Sequence, residues 1–155
     1  MGSIEAIHLA EKRKAPMQAV QSAHAIAGQG LFGDRYFGVF RKGAPYPQGA
    51  ITLIEAEALE AASVELGSPL APGESRRNVT TRGIRLNDLV GRRFRLGGAL
   101  IEGYELCHPC IRLQRLAQKP LLKALRSRGG LRAYIVEGGE IAVGDPICLD
   151  GERPR

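Results

Sequence analysis

Polar and apolar residues alternate from Ser3 to Leu9, a period of two that predicts a half-buried strand. The alternation returns over residues 17–26 and predicts a second strand, separated from the first by the basic turn Glu11-Lys12-Arg13-Lys14-Ala15-Pro16. Residues 28–35 follow with three glycines, which permit left-handed backbone or close approach, and read as a loop. Residues 36–48 hold two Pro, two Gly and no period, which predicts an exposed loop before a short strand at 50–53. Residues 55–66 are rich in Ala, Glu and Leu and predict a helix, stopped by Gly67 and Pro69.

The second half reads mostly as short strands. Thr and Val favour an extended segment at 76–81, and residues 86–90 read as one helical turn. Residues 92–96 and 99–106, joined by Gly97-Gly98, form a hairpin pattern. Residues 111–128 are helical with a break at Pro120, and strands are expected at 131–136, 140–143 and 147–149. With no repeat, heptad or linker, the sum is one domain over residues 1–155, with a core at about 3–149 and a short tail at 150–155. The expected class is mainly β with helices, α+β in content, and a closed or half-closed barrel rather than a βαβ sheet.

Composition narrows the function classes. The chain has 155 residues, 44% hydrophobic and 25% charged, which suits one globular domain and excludes a disordered acidic tail or a disulfide-dense mini-protein. No run of 18 apolar residues occurs, and residues 1–10 lack the apolar core of a signal peptide, so a cytoplasmic location is expected. The net charge of +6 is unevenly spread. Residues 76–95 carry seven Arg against one Asp, and residues 112–132 carry seven Lys or Arg and no acid. Those segments sum to +13 and the remainder to −7, so the sequence suggests a positive half that attracts an anion.

The three Cys, without a secretory leader, argue against structural disulfides. Cys148 reads as core filler. Cys107-His108-Pro109-Cys110 falls where a strand gives way to a basic helix, a setting in which the helix dipole and Arg112 lower a thiol's pKa. A thioredoxin-like pair would need a βαβ context. A zinc site would need ligand spacing that His8 and His24 do not supply. A single thiolate ligand to a soft metal remains, beside the plainer reading of two buried thiols.

Other residues could meet an anion. Arg76, Asn78 and Thr80 would share one face of a strand, with Arg77 on the other, and suit a phosphate plus a heterocycle edge, or simply form a solvated polar face. Asp34 caps a turn or pairs with Arg35, and the turn Lys12-Arg13-Lys14 is ordinarily solvent-exposed. Nucleic acid is disfavoured as partner: aromatics are 5%, Trp is absent, and the basic segments lack interleaved aromatics.

Six motifs in order carry a resemblance over essentially the whole chain: Gly30-Leu31-Phe32-Gly33-Asp34-Arg35; Ile51-Thr52-Leu53-Ile54-Glu55-Ala56-Glu57-Ala58; Arg77-Asn78-Val79-Thr80-Thr81-Arg82-Gly83-Ile84; Leu86-Asn87-Asp88-Leu89-Val90-Gly91 with Phe94-Arg95-Leu96-Gly97; Pro109-Cys110-Ile111-Arg112-Leu113; and Gly138-Gly139-Glu140-Ile141-Ala142-Val143-Gly144-Asp145. Together they are similar to small, stand-alone MOSC domains, named for the molybdenum cofactor sulfurase C-terminal domain. The resemblance implies a β-barrel-rich fold and an anionic molybdenum cofactor of the molybdopterin type. It implies Cys110 as metal ligand and catalytic residue, or as carrier of a transferable sulfur. It further implies Arg76, Arg77, Asn78 and Thr80 against the pterin and its phosphate, Arg35 and Lys12 at the phosphate end, and Arg112 beside the thiol. The implied activity is reduction of N-hydroxylated small molecules, an oxidoreductase reaction, or else non-catalytic carriage of cofactor or persulfide sulfur. The sequence lacks the extra N-terminal barrel, ferredoxin domain and PLP-dependent desulfurase domain of larger relatives. Electrons or sulfur, and any PLP chemistry, would therefore come from a separate reductase or desulfurase protein, with no membrane involved.

Overall fold

The computed structural model describes residues 2–39, 50–109 and 111–150. Strands dominate it. In chain order they are β1 (Gly2–Leu9), β2 (Gln18–Val20), β3 (Ser22–Ile26), β4 (Gly30–Leu31), β5 (Ala50–Glu55), β6 (Val79–Arg82), β7 (Arg93–Leu96), β8 (Ala99–Leu106), β9 (Leu131–Glu137), β10 (Gly139–Ala142) and β11 (Pro146–Leu149). The helices are α1 (Ala56–Leu66), α2 (Ile111–Ala117) and α3 (Leu121–Ala124).

Seven strands close a barrel in the order β1-β11-β7-β8-β9-β5-β6, and the ring shuts where Gly2 and Ser3 of β1 pair with Ile147 and Pro146 of β11. Closure removes the exposed edges an open sheet would present. β2 extends the far end of β1, and β3 joins β4 and β10 in a separate three-stranded sheet. The predicted single strand at 17–26 is therefore two strands that serve different sheets, broken at Gln21, whose carbonyl accepts from Val143 N at 2.9 Å. Period-two alternation runs through both pieces, so the pattern does not mark where the partner changes.

Only β5 and β6 pair in parallel among these strands, and α1 lies in the connection between them, as a parallel pair requires. Alternate residues separate two cores. Ile51, Leu53, Val79, Phe94, Ile101, Leu131 and Ile135 fill the barrel. Ile54, on the other face of β5, joins Leu59, Leu70, Leu113, Leu121 and Leu125 in a second cluster with the helices. Gly67 ends α1 in the left-handed region with φ 70°. Among the described residues no helix is long and apolar enough to cross a membrane.

The loop expected at 28–35 contains the short strand β4, and the segment at 76–81 also differs from expectation. The strand expected at 76–81 begins only at Val79: residues 72–75 form a 3-10 turn, and Arg76 is left-handed with φ 58°. Ser75 Oγ donates to Pro72 O at 2.8 Å and accepts from Arg77 N at 3.3 Å, local bonds that compete with the strand ladder. Arg76 thus shares no strand face with Asn78 and Thr80, and those two are fully buried rather than solvated. Folding also pairs part of the positive half with acids. Arg82, Arg93, Arg95, Lys119, Arg128 and Arg132 pair with Glu5, Glu60, Glu102, Glu137, Asp150, Glu74, Glu65 and Glu105, all from outside the two basic segments.

Candidate cofactor site

The start of β6 meets the end of β1 at one end of the barrel, where Ile7 pairs with Val79. Asn78 ties three strands together there. Its Oδ1 accepts from Thr52 N and Thr52 Oγ1, both at 3.2 Å, and its Nδ2 donates to His8 O at 3.2 Å. Its backbone carbonyl accepts from His8 N at 2.7 Å. Asn78 is therefore a buried joint between β1 and β5.

Arg35 pins the loops around that joint. Its Nη1 lies 3.1 Å from Asp34 Oδ1, with the two side chains 4% and 1% exposed, and its Nη2 donates to Arg76 O at 2.9 Å. Asp34 Oδ1 also accepts from Ala10 N at 3.0 Å, and its Oδ2 from Tyr36 N at 3.3 Å, so the carboxylate holds both the end of β1 and the loop after β4. Both expectations for Asp34, turn partner and ion-pair partner, are met at once. The Arg35 guanidinium also stacks on the Tyr36 ring at 4.4 Å, a cation–π contact.

Arg76 reaches back to the basic turn: Nη1 donates to Ala15 O at 2.8 Å and Nη2 to Arg13 O at 2.9 Å. Burial, and then the cation of Arg35, push its guanidinium below the ordinary value. Lys12 and Arg13 sit exposed on this turn. Arg35 and Arg76 thus both lie close to the Asp34 carboxylate.

Arg77 turns the other way. Its Nε donates to Gly129 O at 2.8 Å, while its Nη2 is buried with no hydrogen-bond partner. A buried guanidinium nitrogen without an acceptor is costly and uncommon. The segment that follows β8 lies against the same glycines. Cys107 N donates to Gly130 O at 2.8 Å, and a Cβ on Gly129 would stand 2.5 Å from Cys107 O and 3.0 Å from Pro109 Cδ. Arg77 and residues 107–109 are thus fixed on one Gly-Gly turn.

Cys110, the residue on which the sequence reading rests most, lies outside the described residues. Arg112 is exposed on the first turn of α2. Cys107 and Cys148 are both buried. Two more buried atoms lack partners: Thr80 Oγ1 on β6 and His8 Nδ1 on β1, and burial pushes the His8 imidazole below its ordinary value. His8 has no ligand spacing in the sequence, and nothing in a period-two strand signals that its Nδ1 would be buried without a partner. Among the described residues no three His, Cys, Asp or Glu side chains group to hold a metal, so a metal there would have to bring ligands of its own. A pterin dithiolate cofactor does that, and the orphaned Arg77 nitrogen fits its anionic character.

The MOSC domain profile matches residues 41–148. No curated protein matches the chain. Among solved structures, the YuaD protein from Bacillus subtilis is 20% identical, with 95% of this chain and 94% of that one covered at a TM-score of 0.80. YiiM from Geobacillus stearothermophilus is 18% identical, with 96% and 75% covered and a TM-score of 0.74. YiiM from Escherichia coli is also 18% identical, with 99% and 72% covered and a TM-score of 0.68. At these identities the structures establish the shared fold.

Proposed function

The chain belongs to the MOSC domain family, which is associated with molybdenum cofactor binding, and from that premise we propose that it holds a molybdopterin-type cofactor beside Arg77 and reduces N-hydroxylated small molecules. The observation that carries this reading is the buried, unpartnered Nη2 of Arg77 on the turn that also holds residues 107–109. An anionic oxygen accepted there would convert a costly orphan into a charge-assisted hydrogen bond. When bound, the molybdenum centre supplies oxygen-atom acceptance and two-electron chemistry.

The remaining roles belong to the chain. Cys110 offers a thiolate, the ligand a soft metal prefers, and Arg112 favours the ionised thiol. Thr80 Oγ1 offers a second hydrogen bond to the pterin edge. Lys12 supplies charge at the phosphate end from an exposed turn. Asn78, Arg35 and Arg76 act as positioning residues, because their polar atoms already engage Thr52, His8, Asp34 and the 13–15 carbonyls. Reduction of an N–OH group requires two electrons and two protons, and gives the amine and water.

Metal analysis tests the reading. Protein from a cofactor-producing host should contain molybdenum and reduce a hydroxylamine or amidoxime with an artificial reductant. Cys110→Ser should lose both metal and activity. Wild type without metal even after cofactor addition, or Cys110→Ser with full metal content, would overturn it. The buried free thiol of Cys107, three residues before Cys110, favours a second reading as a persulfide-sulfur carrier. That reading predicts a sulfide adduct on native mass spectrometry and no reductase activity.

A further inference from the structure

Half of the fourteen cations in residues 76–95 and 112–132 are matched by carboxylates. Arg76 and Arg77 are directed to backbone carbonyls. The cations left over are not scattered. Apart from Arg92 they are Arg112, Arg115, Lys123 and Arg126, all exposed and, among the described residues, without a carboxylate at ion-pair distance. Residues 106–136 contain no Asp or Glu at all, so this surface has no internal means of neutralising itself.

The same surface exposes large apolar side chains. Ile111, Leu116 and Leu122 are 49%, 41% and 36% exposed. At 100° per residue, Ile111, Arg112, Arg115 and Leu116 fall within an arc of about 140° on α2, turned away from Leu113, which is buried in the helical core cluster. Leu122, Lys123 and Arg126 repeat the spacing of Ile111, Arg112 and Arg115 on and just beyond α3. The two short helices are joined by a bond from Leu122 N to Gln114 Oε1 at 3.1 Å and share that core cluster, so they pack as neighbours.

Apolar centres ringed by unpaired cations are the pattern of a protein-docking patch that steers an acidic partner. Half-exposed aliphatics lie in the surface, whereas insertion into lipid needs side chains that stand clear of it. No Phe, Tyr or Trp lies between residues 105 and 133, so nothing on the patch would stack a nucleic-acid base.

We propose that the outer face of α2 and α3 docks an acidic electron-carrier protein of the flavodoxin kind. The electron-delivery half of this inference rests on the reductase reading above; the docking half does not. In the reaction the carrier's flavin hydroquinone is oxidised and the substrate N–O bond breaks. Two electrons and two protons pass to the products, amine and water. The patch adjoins the reacting residue in the chain, since α2 begins at Ile111, directly after Cys110.

The test uses the full-length protein, an acidic flavodoxin as probe, and the variant Arg115→Glu/Lys123→Glu/Arg126→Glu, which leaves Cys110, Arg77 and Arg112 in place. Flavodoxin titrated into isotope-labelled wild type at low salt should perturb resonances of α2 and α3. The triple variant should weaken binding and hydroquinone oxidation by at least about tenfold, with dithionite-driven N–O reduction unchanged. Absence of flavodoxin binding, binding indifferent to the charge reversal, or retention on anionic vesicles or RNA in its place would overturn the proposal. Charge-dependent docking without N–O reduction under either reductant would uphold the docking surface and overturn the reductase reading instead.

Discussion

Arg77 Nε donates to the carbonyl oxygen of Gly129 at 2.8 Å, which fixes the guanidinium while leaving its buried Nη2 without an acceptor. The neighbouring Arg76 is left-handed, and the two guanidinium groups consequently go to different places: Arg76 to the 13–15 carbonyls, Arg77 to the glycines under residues 107–109. Adjacent residues of one type thus acquire separate tasks from one backbone torsion.

Arg77→Met separates binding from folding. The change removes a bond to Gly129 but also removes a buried orphan, and these effects oppose each other, so apo stability should shift by less than about 1 kcal/mol. A lost charge-assisted bond of about 2 kcal/mol corresponds to roughly thirtyfold in cofactor affinity. Urea denaturation of the apo protein and molybdenum content after cofactor titration measure the two quantities. A variant that is destabilised yet retains full affinity would make Arg77 a purely structural residue.

Asp34→Ala should be far more damaging than its single charge suggests. Arg35 and Asp34 are 4% and 1% exposed, and removal of the carboxylate leaves the Arg35 cation buried near Arg76. Breaking a buried pair from one side destabilises by about 3–5 kcal/mol. Asp34→Ala/Arg35→Met should recover at least about 1 kcal/mol of that loss, because the stranded charge goes as well. Chemical denaturation of both variants decides it. A double variant that is simply the sum of two losses would mean the pair is not coupled.

Stability should fall as pH drops below the ordinary imidazole value of 6.5, and His8 is the cause. Burial lowers the folded-state pKa of His8, so between that lowered value and 6.5 the unfolded chain binds the extra proton. The contribution is complete above pH 6.5, declines as pH falls towards the folded pKa, and levels off below it. Glu55, which burial raises from 4.5, acts with the opposite sign, its carboxylate being disfavoured in the fold as pH rises. Thermal melts of wild type and His8→Gln across pH 4 to 8 isolate the histidine by difference. Parallel profiles for the two proteins would exclude His8.

Much of the barrel was legible because period two is a local signal. Residues 3–9, 93–96, 99–106 and 131–137 alternate or run apolar, and each folds as a strand. The helix at 56–66 was equally plain, from its composition and from Gly67 beyond its end. What escaped depends on partners distant in the chain. The division at Gln21 marks a change of neighbour with no break in pattern, and the ion pairs of Arg82 with Glu5 and of Arg128 with Glu65 offset part of the charge asymmetry through partners far away in the chain. Within the site, the Gly-Asp-Arg motif was visible, but the inward use of Arg35 was not. Nothing in the residue types distinguishes Arg35, which is satisfied by Asp34 and Arg76 O, from Arg77, which is not.

Gly129→Ala probes the same turn without removing a functional group. The added Cβ would stand 2.5 Å from Cys107 O, a backbone atom that yields only if the segment moves, and 3.0 Å from Pro109 Cδ. Overpacking of this kind destabilises by about 1–3 kcal/mol. The shift falls on residues 107–109 from one side and on the carbonyl that holds Arg77 Nε from the other. A folded Gly129→Ala protein should therefore lose molybdenum faster on dialysis than wild type, although every proposed ligand is intact. Gly67→Ala, whose Cβ would meet nothing within 4 Å, supplies the control: its left-handed φ of 70° lowers stability with no effect on the site. If both variants lost stability and neither lost metal faster, the Arg77–Gly129 turn would be structural only, and the cofactor would have to be held elsewhere.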